Sequence, residues 1–430
     1  MKAIGIHTFA GGFSMGVQSY FDVDTHLEVH GFGVETAEAL CGVKVHNSPA
    51  SDWPDVPAEF AFGNPRCTGF SCVTCGYDDT IHGPWSAATQ DIHDFVDYCT
   101  GRYPIFVWES VQQAFTTGRP LLDHLVEKVA KKGYRVAHVF VNAETFGNSQ
   151  ARKRYFFIAY DGSKNFNVSP PDSLPVYKPT LYDAIYHLRN YESPHVDLTA
   201  LEKHVVPNLP CGWDLNAFAK YDYDNLPDKW KVAYDFRLSD LPFSMHCIQR
   251  LAWTTRSPTI TSSFGRKIHP CLNRPVTVKE VATIMGWSHV PVPTHPIAAI
   301  KEIAKGVCPE VGEWIALQAA RYLQDAWGDE DFESTYSDKT DSWEGASCNG
   351  KLEKVFNLTR YVQHREREDF PYDDFSKHRF NVDERSGKLI RPWTQVGLKS
   401  RNDRPATGLG GPARVDSQHV PNEPSTESGS

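Results

Sequence analysis

No run in the 430 residues approaches the roughly 18 consecutive apolar side chains that a spanning helix requires, so no helical membrane segment is expected. The opening Met1-Lys2-Ala3-Ile4-Gly5-Ile6 lacks both an apolar h-region and a small-residue cleavage site, which leaves no secretory signal to read. Ten cysteines are present without framework spacing, which argues against a disulfide scaffold and for free thiols in a reducing compartment. Positive charge is also short. Against 53 Asp and Glu there are 44 Lys and Arg, a formal −9, so the chain is no wholly basic nucleic-acid coat, although a local basic face remains open. Internal repeats are absent. What is there is an ordinary globular composition, 40% hydrophobic and 12% aromatic, in a chain long enough for one large domain and one or two small ones. The expectation is a cytoplasmic monomer.

The first 160 residues alternate between short β-rich runs and helical patterns. Strands are expected over Lys2 to Thr8, Thr25 to Val34, Glu59 to Gly63, Pro104 to Trp108, Arg135 to Asn142 and Tyr155 to Tyr160. Apolar residues at Leu121, Leu122, Leu125, Val126 and Val129 mark the clearest helix. Such alternation predicts an α/β fold with a mostly parallel sheet and a site at the carboxyl ends of its strands. From 162 to 250 the texture becomes loop-rich, with Pro170, Pro171, Pro175 and Pro179 breaking the chain, and an inserted domain is expected there. Residues 251–327 return to a regular pattern that ends in a helix over about 310–324. A mixed appendage follows over 328–400, and the polar, Gly- and Pro-containing segment 401–430 reads as a disordered tail.

The chemistry-bearing segment is Gly63-Asn64-Pro65-Arg66-Cys67-Thr68-Gly69, just past an expected strand. A cysteine presented by a proline-stiffened turn beside Arg66 is where a thiolate can be stabilised and exposed. Two other readings stand beside it: three zinc ligands at Cys67, Cys72 and Cys75, without a matching fourth, or buried thiols with no chemistry. Glu109 closes the apolar run Ile105-Phe106-Val107-Trp108, which places a carboxyl at a strand end inside a cleft.

These segments resemble the motifs of the DNA cytosine-5 methyltransferases, in that family's order. Phe9-Ala10-Gly11-Gly12-Phe13 is similar to its cofactor loop and Pro65-Arg66-Cys67 to its Pro-Cys motif. Glu109-Ser110-Val111 resembles Glu-Asn-Val, and Gln150-Ala151-Arg152-Lys153-Arg154 resembles Gln-x-Arg-x-Arg. Ser257-Pro258-Thr259-Ile260 and Arg274-Pro275-Val276-Thr277-Val278-Lys279-Glu280 resemble the block that holds the target-recognition domain. The resemblance implies a Rossmann-like S-adenosylmethionine-dependent methyltransferase fold. Residues 1–161 and 251–327 would form the catalytic domain, with a small target-recognition insert at 162–250. It implies S-adenosylmethionine as cofactor and double-stranded DNA as partner, in a bacterial or phage-infected cell, with restriction-modification as one setting. Cys67 becomes the nucleophile at carbon 6 of a flipped cytosine, Glu109 the acid at nitrogen 3, and Arg152 and Arg154 the holders of the pyrimidine carbonyl and phosphate. Phe9, Gly11, Gly12 and Pro65 would line the cofactor, Glu35 at the end of the second strand would take the ribose hydroxyls, and Asp52 the adenine amino group. No metal is implied.

Arg66 stands at the usual second proline, Ser110 at the usual Asn, and the glycine loop is two residues short. In Glu302-Ile303-Ala304-Lys305-Gly306-Val307, Lys305 falls where the family has an Asn beside the methionine part of the cofactor. An ammonium is ill-placed beside a sulfonium, so Lys305 either points away to solvent or a phosphate, pairs with a carboxylate of the protein or the cofactor, or meets an alternative donor, carboxy-S-adenosylmethionine. An RNA substrate and a non-catalytic DNA-binding or zinc-binding relative are the further alternatives.

Overall fold

The computed structural model describes residues 1–70, 85–169, 171, 179–215, 218, 224, 228, 231, 248–325 and 353–358. Cys72 and Cys75, most of the loop between Ser71 and Trp85, and much of the recognition insert lie outside them.

Ten strands are described: β1 (Lys2–Ile6), β2 (Asp22–Glu28), β3 (Lys44–Asn47), β4 (Phe60–Gly63), β5 (Ile105–Ser110), β6 (Tyr134–Asn142), β7 (Lys153–Asp161), β8 (Gln249–Arg250), β9 (Lys267–Ile268) and β10 (Glu353–Asn357). The described helices are α1 (Gly12–Val17), α2 (Val34–Cys41), α3 (Gln90–Cys99), α4 (Gln113–Thr116), α5 (Arg119–Ala130), α6 (Leu181–Ile185), α7 (Ala200–Val205), α8 (Val278–Ile284), α9 (Pro296–Lys305) and α10 (Pro309–Leu323). Eight strands form one sheet in the order β10-β6-β7-β5-β4-β1-β2-β3. All pairings are parallel except those of β7, which runs antiparallel to both β5 and β6. The mostly parallel sheet expected from the alternation is present.

Its central strands read as near-continuous apolar runs because both faces are covered. Phe60, Phe62, Ile105, Val107, Phe156 and Ile158 face one core, which α1, α8, α9 and α10 complete. Ala61, Phe106, Trp108, Tyr155 and Phe157 face the other, under α3 and α5. The period of two in side-chain direction sorts each strand between these layers. α1 lies so close to α10 that a Cβ on Gly16 would stand 2.2 Å from Pro309 O and 2.4 Å from Glu313 N. Only a hydrogen fits there.

Phe166, Val168, Leu181, Ile185 and Leu188 belong to the main core. A smaller satellite core gathers Val205, Val206, Leu209, Leu215, Phe218, Ile248 and Ile268. Arg250 staples it to the catalytic part: its guanidinium donates to the carbonyls of Val206, Leu209, His269 and Leu272 and to Asn273 Oδ1. On the other side Thr277 and Glu280 form a capping box at the start of α8, and Arg274 grips the same Glu280 carboxylate at 2.8 and 2.9 Å.

Three sequence expectations are revised. The strand expected over Thr25 to Val34 stops at Glu28, and α2 begins at Val34. The short edge strand β3 has no counterpart among the expected elements. From the appendage, β10 joins the sheet in parallel beside β6, with Phe356 and Leu358 in the main core.

Candidate active site

Because β7 runs antiparallel, its first residues lie at the same edge of the sheet as the carboxyl ends of β1, β2, β4 and β5. Gly63 pairs with Trp108, Glu109 with Phe156 and Ser110 with Tyr155. Cys67, Glu109 and Arg154 are therefore delivered to one place by three adjacent strands. β4 ends where Gly63 meets β1, since a Cβ there would stand 2.0 Å from Ile6 O, and Pro65 then fixes the turn. The loop is braced from α3: Arg66 donates to both oxygens of buried Asp91, Nε to Oδ2 at 2.6 Å and an Nη to Oδ1 at 2.8 Å. His30 lies 3.3 Å from the same carboxylate.

Cys67 is partly buried. Burial pushes its thiol pKa up, the Glu109 charge adds to this, and Arg154 and Arg152 pull the other way. Glu109 is 6% exposed and Arg154 Nε lies 2.5 Å from its Oε1. Burial raises the Glu109 carboxyl, with Arg154 and Arg152 opposing. The three groups thus sense one another's charge in a partly buried recess.

Arg152 differs from its neighbour. It is 3% exposed and donates to the carbonyls of Ile260 at 3.1 Å, Ala304 at 3.0 Å and Gly306 at 2.8 Å. Burial lowers its pKa to about 10. The sequence gives Arg152 a pyrimidine carbonyl or nearby phosphate to hold; among the described residues its terminal nitrogens donate to these backbone carbonyls.

At the first strand, His7 and Phe9 take φ angles of 55° and 50°, a left-handed conformation that costs energy in residues with a Cβ. Phe9 N–H donates to Glu28 Oε1 at 2.8 Å. Glu28, fully buried at the end of β2, has its carboxyl pushed well above the usual range by burial. Its Oε2 has no hydrogen-bond partner among the described residues. This corrects the placement of Glu35, which stands exposed in the first turn of α2, beyond the strand end that was to position it. The alternating pattern through Val34 concealed the true terminus, and Leu27-Glu28, an acid directly after an apolar strand residue and ahead of Gly31 and Gly33, is the signal that would have found it.

Gly11 sits at φ 83°, where a Cβ would lie 2.5 Å from Cys41 Sγ, and a Cβ on Gly12 would meet Trp287 Cζ2 at 2.9 Å. These glycines admit close packing behind the loop. Asp52 is exposed in a single 3₁₀ turn after β3 and accepts from Ser51 Oγ. Pro65 is buried. The Lys305 ammonium lies 3.8 Å from the Phe32 ring centre and 4.9 Å from that of Phe9. Asn64, one residue before the proline and unremarked in the sequence, donates to Lys305 O at 2.7 Å. Beside Ala151 a cavity of about 380 Å³ opens toward the insert, bordered by Thr180, Gln249, Arg256 and Ser257. Among the described residues no cluster of side chains is suited to a metal ion, while the zinc reading of Cys72 and Cys75 lies outside them.

An α/β sheet of this order, with a glycine turn after its first strand and reactive groups at one edge, defines a Rossmann-like methyltransferase fold. The comparisons agree. The fold is shared with a DNA modification methyltransferase encoded within an E. coli prophage (TM-score 0.53, 19% identity, 75% of this chain and 99% of that one). It is shared too with the Entamoeba histolytica methyltransferase EhMeth (TM-score 0.50, 10% identity, 76% and 99%). The model of the C-5 cytosine-specific DNA methylase family matches residues 50–321, and the chain belongs to that family. A type II methyltransferase of Methanothermobacter thermautotrophicus, M.MthTI, is 30% identical over 159 residues, 35% of this chain. That match spans 46% of the relative's own length.

Proposed function

We propose that this protein transfers a methyl group from S-adenosylmethionine to carbon 5 of a cytosine flipped out of double-stranded DNA. The observation that carries this reading is the convergence of Cys67, Glu109 and Arg154 at one sheet edge, with Arg154 2.5 Å from Glu109 and both charges felt at Cys67.

Cytosine carbon 5 is a weak nucleophile until a sulfur adds at carbon 6. Cys67 supplies that sulfur as thiolate, its proton going to water, and Arg154 and Arg152 offset part of the rise that burial imposes on the thiol. Glu109, its carboxyl raised by burial, gives a proton to nitrogen 3, so the added electron pair reaches carbon 5 without leaving the ring anionic. Arg154 holds the Glu109 carboxylate in place and steadies the charge it leaves behind. Once carbon 5 carries the methyl group, its proton passes to water as the Cys67 thiolate leaves carbon 6, and the nitrogen 3 proton returns to the Glu109 carboxylate, which restores both the ring and the acid. These groups are recessed, so a base stacked in a duplex cannot reach them and must be extruded. The cavity between Ala151 and the insert offers room for the nucleic acid beside that path.

S-adenosylmethionine supplies an electrophilic methyl group when bound. The residues present suit it: Glu28 offers a buried carboxyl oxygen that accepts no hydrogen bond among the described residues, with His7 Nδ1 3.9 Å away, and Phe9 and Phe32 offer rings beside the glycine turn. Lys305 favours a second reading, in which the donor carries a carboxylate and the product is 5-carboxymethylcytosine. Among the described residues its ammonium rests on rings in the cleft rather than on a carboxylate. Burial lowers its pKa, and nearby Arg66 adds to this.

Mass spectrometry of nucleosides from DNA incubated with the protein and either donor tests both readings. A 5-methylcytosine peak that vanishes in Cys67→Ala is the expected result. A carboxymethyl product that Lys305→Asn removes would establish the second donor. Modification of RNA alone, or no product at all, would overturn the main reading.

A further inference from the structure

The last carbonyls of a helix have no partner within it and must find one elsewhere. At the end of α9 they find an unusual set. Ala304 O and Gly306 O both accept from one Nη of Arg152, at 3.0 and 2.8 Å, and Lys305 O between them accepts from Asn64 Nδ2 at 2.7 Å. Three consecutive carbonyls thus take side-chain donors from two separate reactive segments, the lead-in to β7 and the nucleophile loop. Both donors are 3% exposed. A third restraint comes from Trp287. A Cβ on Gly306 and one on Gly12 would each lie 2.9 Å from its Cζ2, so the indole is wedged between this turn and the glycine loop. Lys305 is the one residue of the turn whose side chain leaves this clamp, and it leaves toward Phe9 and Phe32.

We propose that Arg152 and Asn64 are positioning residues for the donor site: they lock the 304–306 turn, and with it Lys305, against the nucleophile loop, and neither touches the base. This rests on the reading of the cleft between Phe9 and Lys305 as the donor site. A guanidinium already shared among Ile260, Ala304 and Gly306 has one nitrogen left, Nε, which is buried and has no hydrogen-bond partner among the described residues. It has no free fork to offer a pyrimidine. Lysine keeps the charge but cannot span carbonyls on two segments.

The test is calorimetric binding of S-adenosylmethionine and S-adenosylhomocysteine to the full chain without DNA, beside binding of a cytosine-containing duplex. It is run for Arg152→Lys, Asn64→Ala, their double variant and Arg154→Lys. Arg152→Lys and Asn64→Ala should each weaken binding of both probes about 10-fold or more, as small misplacements of a binding group do, with duplex affinity unchanged. The double variant should lose less than the product of the two, because both act on one turn. Arg154→Lys should leave probe binding intact and slow turnover. Unchanged probe affinity in Arg152→Lys with weakened duplex binding would overturn the proposal, as would strictly additive losses. Should Arg152→Lys fail to fold, Asn64→Ala carries the same comparison. If no modified base is ever found, the binding measurements still decide the clamp, so the two readings fail separately.

Discussion

At the scale of single residues, the centre rests on a carboxyl and a thiol that burial pushes the same way. Glu109 is raised, so its protonated form persists to higher pH than an exposed glutamate's, and a step that needs its proton is lost as pH rises through that raised value. Glu109→Gln keeps the size and loses the proton. Turnover should fall about 10²- to 10⁴-fold, and the alkaline limb assigned to Glu109 should disappear from the pH profile while donor binding persists. A profile unchanged in shape would sink the assignment. Cys67, Glu109 and Arg154 were legible because each follows or opens an apolar run that could only be a strand. Glu28 was not. The chain after it, Val29-His30-Gly31-Phe32-Gly33-Val34, continues the alternation of a strand, yet a Cβ on Gly33 would stand 2.6 Å from Ala10 N, so the backbone turns there to pass the glycine loop. For Arg152 the sequence carries no sign of the three backbone carbonyls it bonds, because Ile260, Ala304 and Gly306 lie more than 100 residues away.

At the scale of elements, β10 is the largest departure from what the sequence shows. Glu-Lys-Val-Phe-Asn in a polar stretch carries little strand signal, and its anchoring acid looks like a surface residue. Its partners lie far off in the chain: Glu353 accepts from His138 Nε2 at 2.8 Å and from Arg119 at 2.9 and 3.1 Å. His138 Nδ1 in turn meets Tyr155 OH at 2.6 Å, on the strand that carries Arg154. Removing one partner of a buried pair strands the others. Glu353→Ala should cost about 3 kcal/mol, the lower end for such losses because Arg119 keeps Asp123. Chemical denaturation checks the magnitude, and a change under 1 kcal/mol would show the strand to be ornamental. The main sheet, by contrast, was legible over most of its strands, since runs buried on both faces are apolar without interruption.

For the whole molecule, a set of buried imidazoles governs acid stability. Burial lowers His7 and His269 from 6.5 to about 4 and His26 to about 3, and it lowers His138 as well. A depressed folded pKa means that the unfolded chain binds protons the native state refuses. The resulting stability is complete above the ordinary value of 6.5 and is lost as pH falls toward the folded values. Each such group contributes up to about 1.4 kcal/mol per pH unit in that window. The raised carboxyls of Glu28 and Glu109 act in the opposite sense, and with four rings lowered against them urea unfolding should show a lower midpoint at pH 5.5 than at pH 7. Equal midpoints would mean that these rings are protonated in the folded protein.

The β10 strand also sets an order of events during synthesis. Every side chain to which a chemical role is proposed has been made by residue 154, and the turn that carries Lys305 by residue 306. The sheet that holds them gains its eighth strand only after residue 357. A nascent chain halted near residue 325 would carry Cys67, Glu109 and Arg154 in full, yet would leave the β6 edge bare and His138 and Arg119 facing no carboxylate. Completion of the catalytic body is thereby tied to translation of the appendage.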